Sequence, residues 1–335
     1  MHTTSRTTHR YGLAAGAAAA LTLGLVAAGP ASATRSTASV YNDTLTVSTG
    51  SGSQSVALRL AAGDTTTLEV DVNDDGTAEH SFDRATFSSI RVFLGSGSDR
   101  FRVDQENGAF ADENLTVDGG SGNDTLDGGD GNEVFRAGSG SDAVDGNRGA
   151  DTGILGSGAD SFRWDPGDGS DIVEGDSGTD TLDFNGAAGA ENMRLSPVGR
   201  RSLFFRDAGN ISMDMDNVEN LDLTALGGVD TVTVEDMTGT DFRQADVDLQ
   251  GPAGGGDGSS DTVTVNGTNR GDNIDVEADG AVVEVDGLKT DVDIIGAETS
   301  DVLQINALGG NDDVDVEAAA EALIDVIVDL GAGQR

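Results

Sequence analysis

The 335-residue chain contains no cysteine, one lysine (Lys289), one tryptophan (Trp164) and three histidines. Without cysteine there is no disulfide framework, no thiolate metal site and no thiol nucleophile. His2 and His9 lie in the first ten residues, so His80 stands alone in the rest of the chain. A histidine-cluster metal site is excluded, and a Ser-His-Asp triad could form only around His80, which reads as an ordinary surface residue. Basic residues are scarce as well, 19 against 60 acidic side chains, a formal charge of −41. Nucleic-acid binding needs the opposite balance. So strong a negative charge opposes compaction by self-repulsion. The chain is therefore either disordered or neutralised by something cationic. Apolar residues reach 36%, many of them Val, Ile, Leu and Phe at alternating positions. Acidic disordered tails lack that pattern, which favours a cation.

Long apolar runs are missing apart from one near the start. Arg6 and Arg10 precede an apolar stretch over 13–28, followed by Gly29-Pro30 and the small-x-small sequence Ala31-Ser32-Ala33. This pattern predicts a cleaved export signal over 1–33 rather than a membrane anchor, since the run is short of the ~20 residues of a spanning helix. Its removal deepens the charge to −43 and implies a secreted, extracellular protein without a transmembrane segment.

What the chain does have is repetition. Seven nine-residue windows occupy 119–127, 128–136, 137–145, 146–154, 155–163, 166–174 and 175–183, interrupted only by Trp164-Asp165. Each carries Gly at its fourth position: Gly122, Gly131, Gly140, Gly149, Gly158, Gly169 and Gly178. Each carries an acid at its sixth: Asp124, Glu133, Asp142, Asp151, Asp160, Asp171 and Asp180. Six have an apolar eighth residue (Leu126, Phe135, Val144, Phe162, Val173 and Leu182), and the fourth window has Gly153 there. Second-position glycines are Gly120, Gly129, Gly138, Gly156 and Gly167. Glycine tolerates the positive φ of a tight turn, and carbonyls plus one carboxylate form a hard oxygen set of the kind Ca²⁺ takes. The eighth residue is predicted to point inward from a short strand, with core strength coming from stacked neighbours. Gly153 and the two-residue insertion are the expected weak points of that core.

These windows resemble the RTX (haemolysin-type) calcium-binding repeat family, whose pattern is Gly-Gly-x-Gly-x-Asp-x-apolar-x. The resemblance implies two windows per coil and calcium between loops stacked on one edge. It puts Asp124, Asp142, Asp160 and Asp180 on one edge and Glu133, Asp151 and Asp171 on the other. The implied ligands also include the turn glycines Gly120, Gly122, Gly129, Gly131, Gly138, Gly140, Gly156, Gly158, Gly169 and Gly178. Ala137, Asn147, Leu155, Pro166 and Asp176 depart from the pattern. The family's exported toxins carry a C-terminal export signal, whereas this chain has an N-terminal, alanine-rich leader similar to those of exported actinobacterial proteins.

The flanks read as strands and glycine turns. Strands are expected over 44–48, 55–60, 66–72 and 87–93, and Gly95-Ser96-Gly97-Ser98-Asp99 reads as a glycine turn with an acid between two strands. Residues 221–235 match 303–317 at an offset of 82, each with a glycine turn before Asp230 or Asp312. Asp99, Asp230 and Asp312 are open to two readings, turn residue or metal ligand. Asp71 to Gly76 resembles the start of an EF-hand loop, but Phe82 stands where that loop needs Glu, which predicts a hairpin turn. A short helix is expected only near 318–324. The predicted fold is all-β: an elongated parallel β-solenoid, with a β-roll over 119–183 and longer β-helix-like coils over 34–118 and 184–335. The expected function is calcium binding coupled to folding, with no enzyme activity. The alternatives are a carbohydrate-active or polysaccharide-binding β-helix protein and a cell-surface adhesin; Trp164 could serve the first as a stacking platform, but it reads rather as a packing plug over the irregular coil.

Overall fold

In the computed structural model, residues 36–331 are described. They belong to the unit Ala33–Arg335. The expected export signal lies outside the described residues.

The described chain is all-β and forms two 14-stranded sheets. Through the centre it alternates strictly between them. Asn114–Ser121, Val134–Gly140, Thr152–Gly158 and Ile172–Gly178 lie side by side in the first sheet. Thr125–Asp127, Ala143–Asp145, Ser161–Trp164 and Thr181–Asn185 do so in the second. All these neighbours pair in parallel. One full circuit takes 18 residues, two windows, so Val144 sits between Leu126 and Phe162. Where Trp164-Asp165 intervenes the circuit lengthens to 20 residues without loss of register.

Strand alternation sends every second side chain between the sheets. Leu126, Phe135, Val144, Phe162, Val173 and Leu182 are all buried there, at 1% exposure or less. Both expected weak points are filled by aromatic side chains. The Phe162 ring approaches within 2.7 Å of where a Cβ on Gly153 would stand, so the missing side chain makes room for a neighbour's ring. Trp164 is fully buried, stacked on Phe184 at 4.2 Å, and its indole N–H donates to the Gly169 carbonyl at 2.8 Å. It plugs the irregular circuit and is not available as a sugar platform.

The flanks do hold longer parallel circuits, 25 residues from Asp99 to Asp124 and 31 from Asp230 to Asp261. They also contain three antiparallel insertions that the expected coils did not include. Ser55–Ala61, Asp64–Val72 and His80–Asp83 form one. Asn192–Val198, Arg201–Arg206 and Ile211–Asp216 form a second. Asn273–Asp279, Val282–Asp286 and Asp291–Ile295 form a third. A hairpin joins Thr37–Tyr41 to Thr44–Ser48 through Asn42 and Asp43, both at positive φ, as a two-residue turn that follows sheet twist requires. The turn after Asp71 joins two antiparallel strands, and Asp71 is buried against Arg59 at 2.7 Å. Phe204 faces the core while Arg201 pairs outward with Glu174 and Asp214.

The matching stretches fall in opposite sheets, Asn220–Thr224 in the second and Val302–Asn306 in the first. Residues 317–323 form hydrogen-bonded turns rather than the expected helix. A seven-residue alanine-rich segment has too few turns to repay helix nucleation.

Candidate metal centre

Each repeat turn leaves one sheet and enters the other, so the turns stack along two edges. Asp124, Asp142, Asp160 and Asp180 immediately precede strands of the second sheet and share one edge. Glu133, Asp151 and Asp171 precede strands of the first sheet and share the other.

Close approach explains the glycines better than φ alone. Gly158 lies at φ +150°, and a Cβ there would stand 1.4 Å from the Gly140 carbonyl oxygen. Gly169 is outside the left-handed region, yet its Cβ would stand equally close, 1.4 Å, to the Gly149 oxygen. Successive turns thus aim a carbonyl oxygen at the glycine of the next. The expectation of positive φ fits Gly120, Gly122, Gly138, Gly140, Gly156 and Gly178, whereas Gly129 and Gly131 also adopt other conformations.

The acids are joined by a ladder of hydrogen bonds. The main-chain N–H of Asp124 donates to Oδ1 of Asp142 at 2.8 Å, that of Asp142 to Asp160 at 2.7 Å, and that of Asp160 to Asp180 at 3.0 Å. On the other edge the Glu133 N–H donates to Asp151 at 2.7 Å and the Asp151 N–H to Asp171 at 2.8 Å. Each rung uses one carboxylate oxygen. Among the described residues, Oδ2 of Asp124, Asp142, Asp151, Asp160 and Asp180 is buried without a hydrogen-bond partner. It folds back over the start of its own turn, 2.6 Å from an added Cβ on Gly119 for Asp124 and 2.5 Å from one on Gly146 for Asp151. Glu133 differs: its extra methylene lets Oε2 accept the Gly129 N–H at 3.1 Å.

Burial makes these carboxylates hard to ionise. Desolvation pushes Asp124 and Asp142 up to about 6, Glu133, Asp171 and Asp180 to about 7, and Asp151 to about 9. The like charge one circuit away adds to the effect, Asp142 on Asp124 for example. Desolvation likewise raises Asp160. A buried carboxylate oxygen that accepts nothing needs a proton or a cation. Among the described residues no group of three or more His, Cys, Asp or Glu side chains could hold a metal. A site here must therefore combine one or two carboxylates with turn carbonyls, an all-oxygen set that suits Ca²⁺. The residues present fit the ion.

The same ladder runs past the predicted residues. Gln54 N–H donates to Asp99, Asp99 N–H to Asp124, and Asp180 N–H to Glu219. The turn at Gly50-Ser51-Gly52-Ser53-Gln54 escaped the sequence reading because its sixth position is an amide. Comparison with 95–99, which differs from it only in that residue, could have found it.

Residues 116–144, 127–162 and 167–187 match the RTX calcium-binding nonapeptide repeat, in four copies, and such repeats bind Ca²⁺. Searches of curated proteins and of solved structures found no match.

Proposed function

We propose that this chain is an exported calcium-binding β-solenoid whose order depends on the ion. The supporting observation is the row of buried carboxylates with one oxygen held by a neighbouring turn and the other without a partner. Asp124, Asp142, Asp160 and Asp180 would hold calcium along one edge and Asp151, with Glu133 and Asp171, along the other. Carbonyls of the turns at Gly120, Gly122, Gly138, Gly140, Gly156, Gly158 and Gly178, and of Gly129, Gly131 and Gly169, supply the remaining oxygens. When bound, the ion supplies positive charge and cross-links successive turns. The chain's own part is to hold the oxygens in register.

Binding to the ordered state alone shifts folding toward it. With a formal charge of −41, the calcium-free chain also carries strong self-repulsion. Abundant extracellular calcium would then order the chain only after export. In this reading 1–33 is the export signal, 119–183 the calcium-binding roll, and 34–118 and 184–335 the solenoid flanks. No described helix is long and apolar enough to cross a membrane. The role is that of a binding or structural protein rather than an enzyme.

Far-ultraviolet circular dichroism of the purified protein, with calcium and with EGTA, tests the coupling. Strand signal is expected to grow on adding calcium and fall with EGTA. Identical spectra in both would overturn the proposal.

A further inference from the structure

The buried turn acids outside residues 116–187 divide by what neutralises them. Glu191 is paired with Arg206, whose Nε lies 2.7 Å from Oε1, and its Oε2 accepts the Ala187 N–H at 3.0 Å. Asp301 uses both oxygens on main-chain donors, Oδ1 for Asp261 at 3.0 Å and Oδ2 for Glu298 at 2.7 Å. Asp99 and Asp230 have neither arrangement. They are 3% and 1% exposed, and each has a buried Oδ2 with no partner among the described residues.

Both stand in turns built like the central ones. In the first, Gly95 and Gly97 occupy the second and fourth positions at φ +100° and +125°, Asp99 the sixth, and the fully buried Phe101 the eighth. This turn stacks directly on the first repeat, where added Cβ atoms on Gly120 and Gly122 would each stand 2.0 Å from the Gly95 and Gly97 oxygens. In the second, Leu226 and Gly228 occupy those positions at φ +69° and +125°, with Asp230 sixth and the buried Val232 eighth. Leucine rarely adopts positive φ, and the cost is of the kind retained where a turn has a task. Oδ1 of Asp230 accepts the Glu191 N–H at 2.8 Å, the ladder bond of the central edge.

We propose that the turns ending in Asp99 and Asp230 are two further divalent-cation sites of the calcium class, each completing a buried carboxylate with turn carbonyls. The proposal rests on the calcium reading of the central turns. It extends that reading to about twenty residues before the matched segment and about forty after it.

Counting bound ions on the full chain decides it. Native mass spectrometry in calcium is expected to show fewer ions for Asp99→Asn and for Asp230→Asn than for the parent, each by at least one. Asp301→Asn is expected to keep the parent count. If Asp142→Asn loses ions while the Asp99 and Asp230 variants lose none, the extension is wrong and the central sites stand. A parent that binds no calcium overturns both readings. Should either variant fail to fold, crystals of the parent grown with terbium replace the count. Anomalous peaks within bonding distance of Oδ2 of Asp99 and Asp230 support the sites, and peaks confined to 116–187 overturn them.

Discussion

The main-chain N–H of Asp142 donates to Oδ1 of Asp160, one circuit further along, at 2.7 Å. The same bond recurs from Asp99 to Asp180, so each carboxylate both orders the preceding turn and presents a second oxygen toward its own. In the proposed function, structural and ion-binding roles therefore reside in different oxygens of one group, and substitutions can separate them.

Asp142→Asn keeps the acceptor for Asp124 but removes the charge. In EGTA it is expected to be more stable than the parent, because an acid whose pKa is raised to about 6 no longer has to ionise in the fold. In millimolar calcium the order reverses. Asp142→Ala loses the acceptor too, and the unsatisfied Asp124 N–H costs about 1–3 kcal/mol in either condition. Urea midpoints with and without calcium check the set, and an Asn variant weaker than the parent in EGTA would refute the division.

Acid is expected to substitute in part for calcium. The edge carboxylates have folded pKa values raised above their usual ones by burial, to about 6 for Asp124 and about 9 for Asp151. Their contribution to calcium-free stability is complete below pH 4 and is lost as pH rises through 6 to 9. Thermal melts in EGTA should therefore rise from pH 8 to pH 5. In calcium the gain shrinks or inverts, since protons compete for the same oxygens. A calcium-free melting temperature that falls on going to pH 5 would contradict the assignment.

Gly158→Ala is expected to cost on the order of 2 kcal/mol or more, because its Cβ would meet the Gly140 carbonyl and its φ is disfavoured for alanine. Gly254→Ala, at φ +77° with nothing within 4 Å, carries only the conformational cost of about 1 kcal/mol. Equal losses in chemical denaturation would show that stacking distance does not explain the glycines.

Leu226→Gly relieves a leucine held at φ +69° in a partly exposed turn. Weighing that relief against glycine's greater unfolded freedom, it is expected to stabilise the protein by about 0.5–1 kcal/mol. A destabilised variant would mean that the leucine side chain contributes packing that outweighs its backbone strain.

Much of the centre could be read before any coordinates. A nine-residue period with Gly at four, acid at six and an apolar residue at eight encodes a turn, an oxygen ligand and a core side chain in that order, and the predicted core residues are buried. The flanks were less legible because strand alternation has the same period in a parallel circuit and in an antiparallel hairpin. Met193, Phe204 and Met213 alternate like any other strand residues, yet they lie on antiparallel neighbours. Gly153 misled for a related reason: a missing side chain reads as a gap until Phe162 is seen to fill it.

Local chemistry, then, already resides in the chain: which turns are tight, which side chains seek the interior, and which residues carry oxygens for a hard cation. Only the stacked structure decides which of those oxygens are already spoken for. Arg206 reaches Glu191 from an inserted hairpin, and the Glu298 N–H reaches Asp301, whereas Asp99 and Asp230 keep an oxygen without a partner. Whether a carboxylate is neutralised depends on how its own turn closes, as at Asp301, and on whether an inserted hairpin delivers a base, as at Glu191, and both exist only in the folded chain.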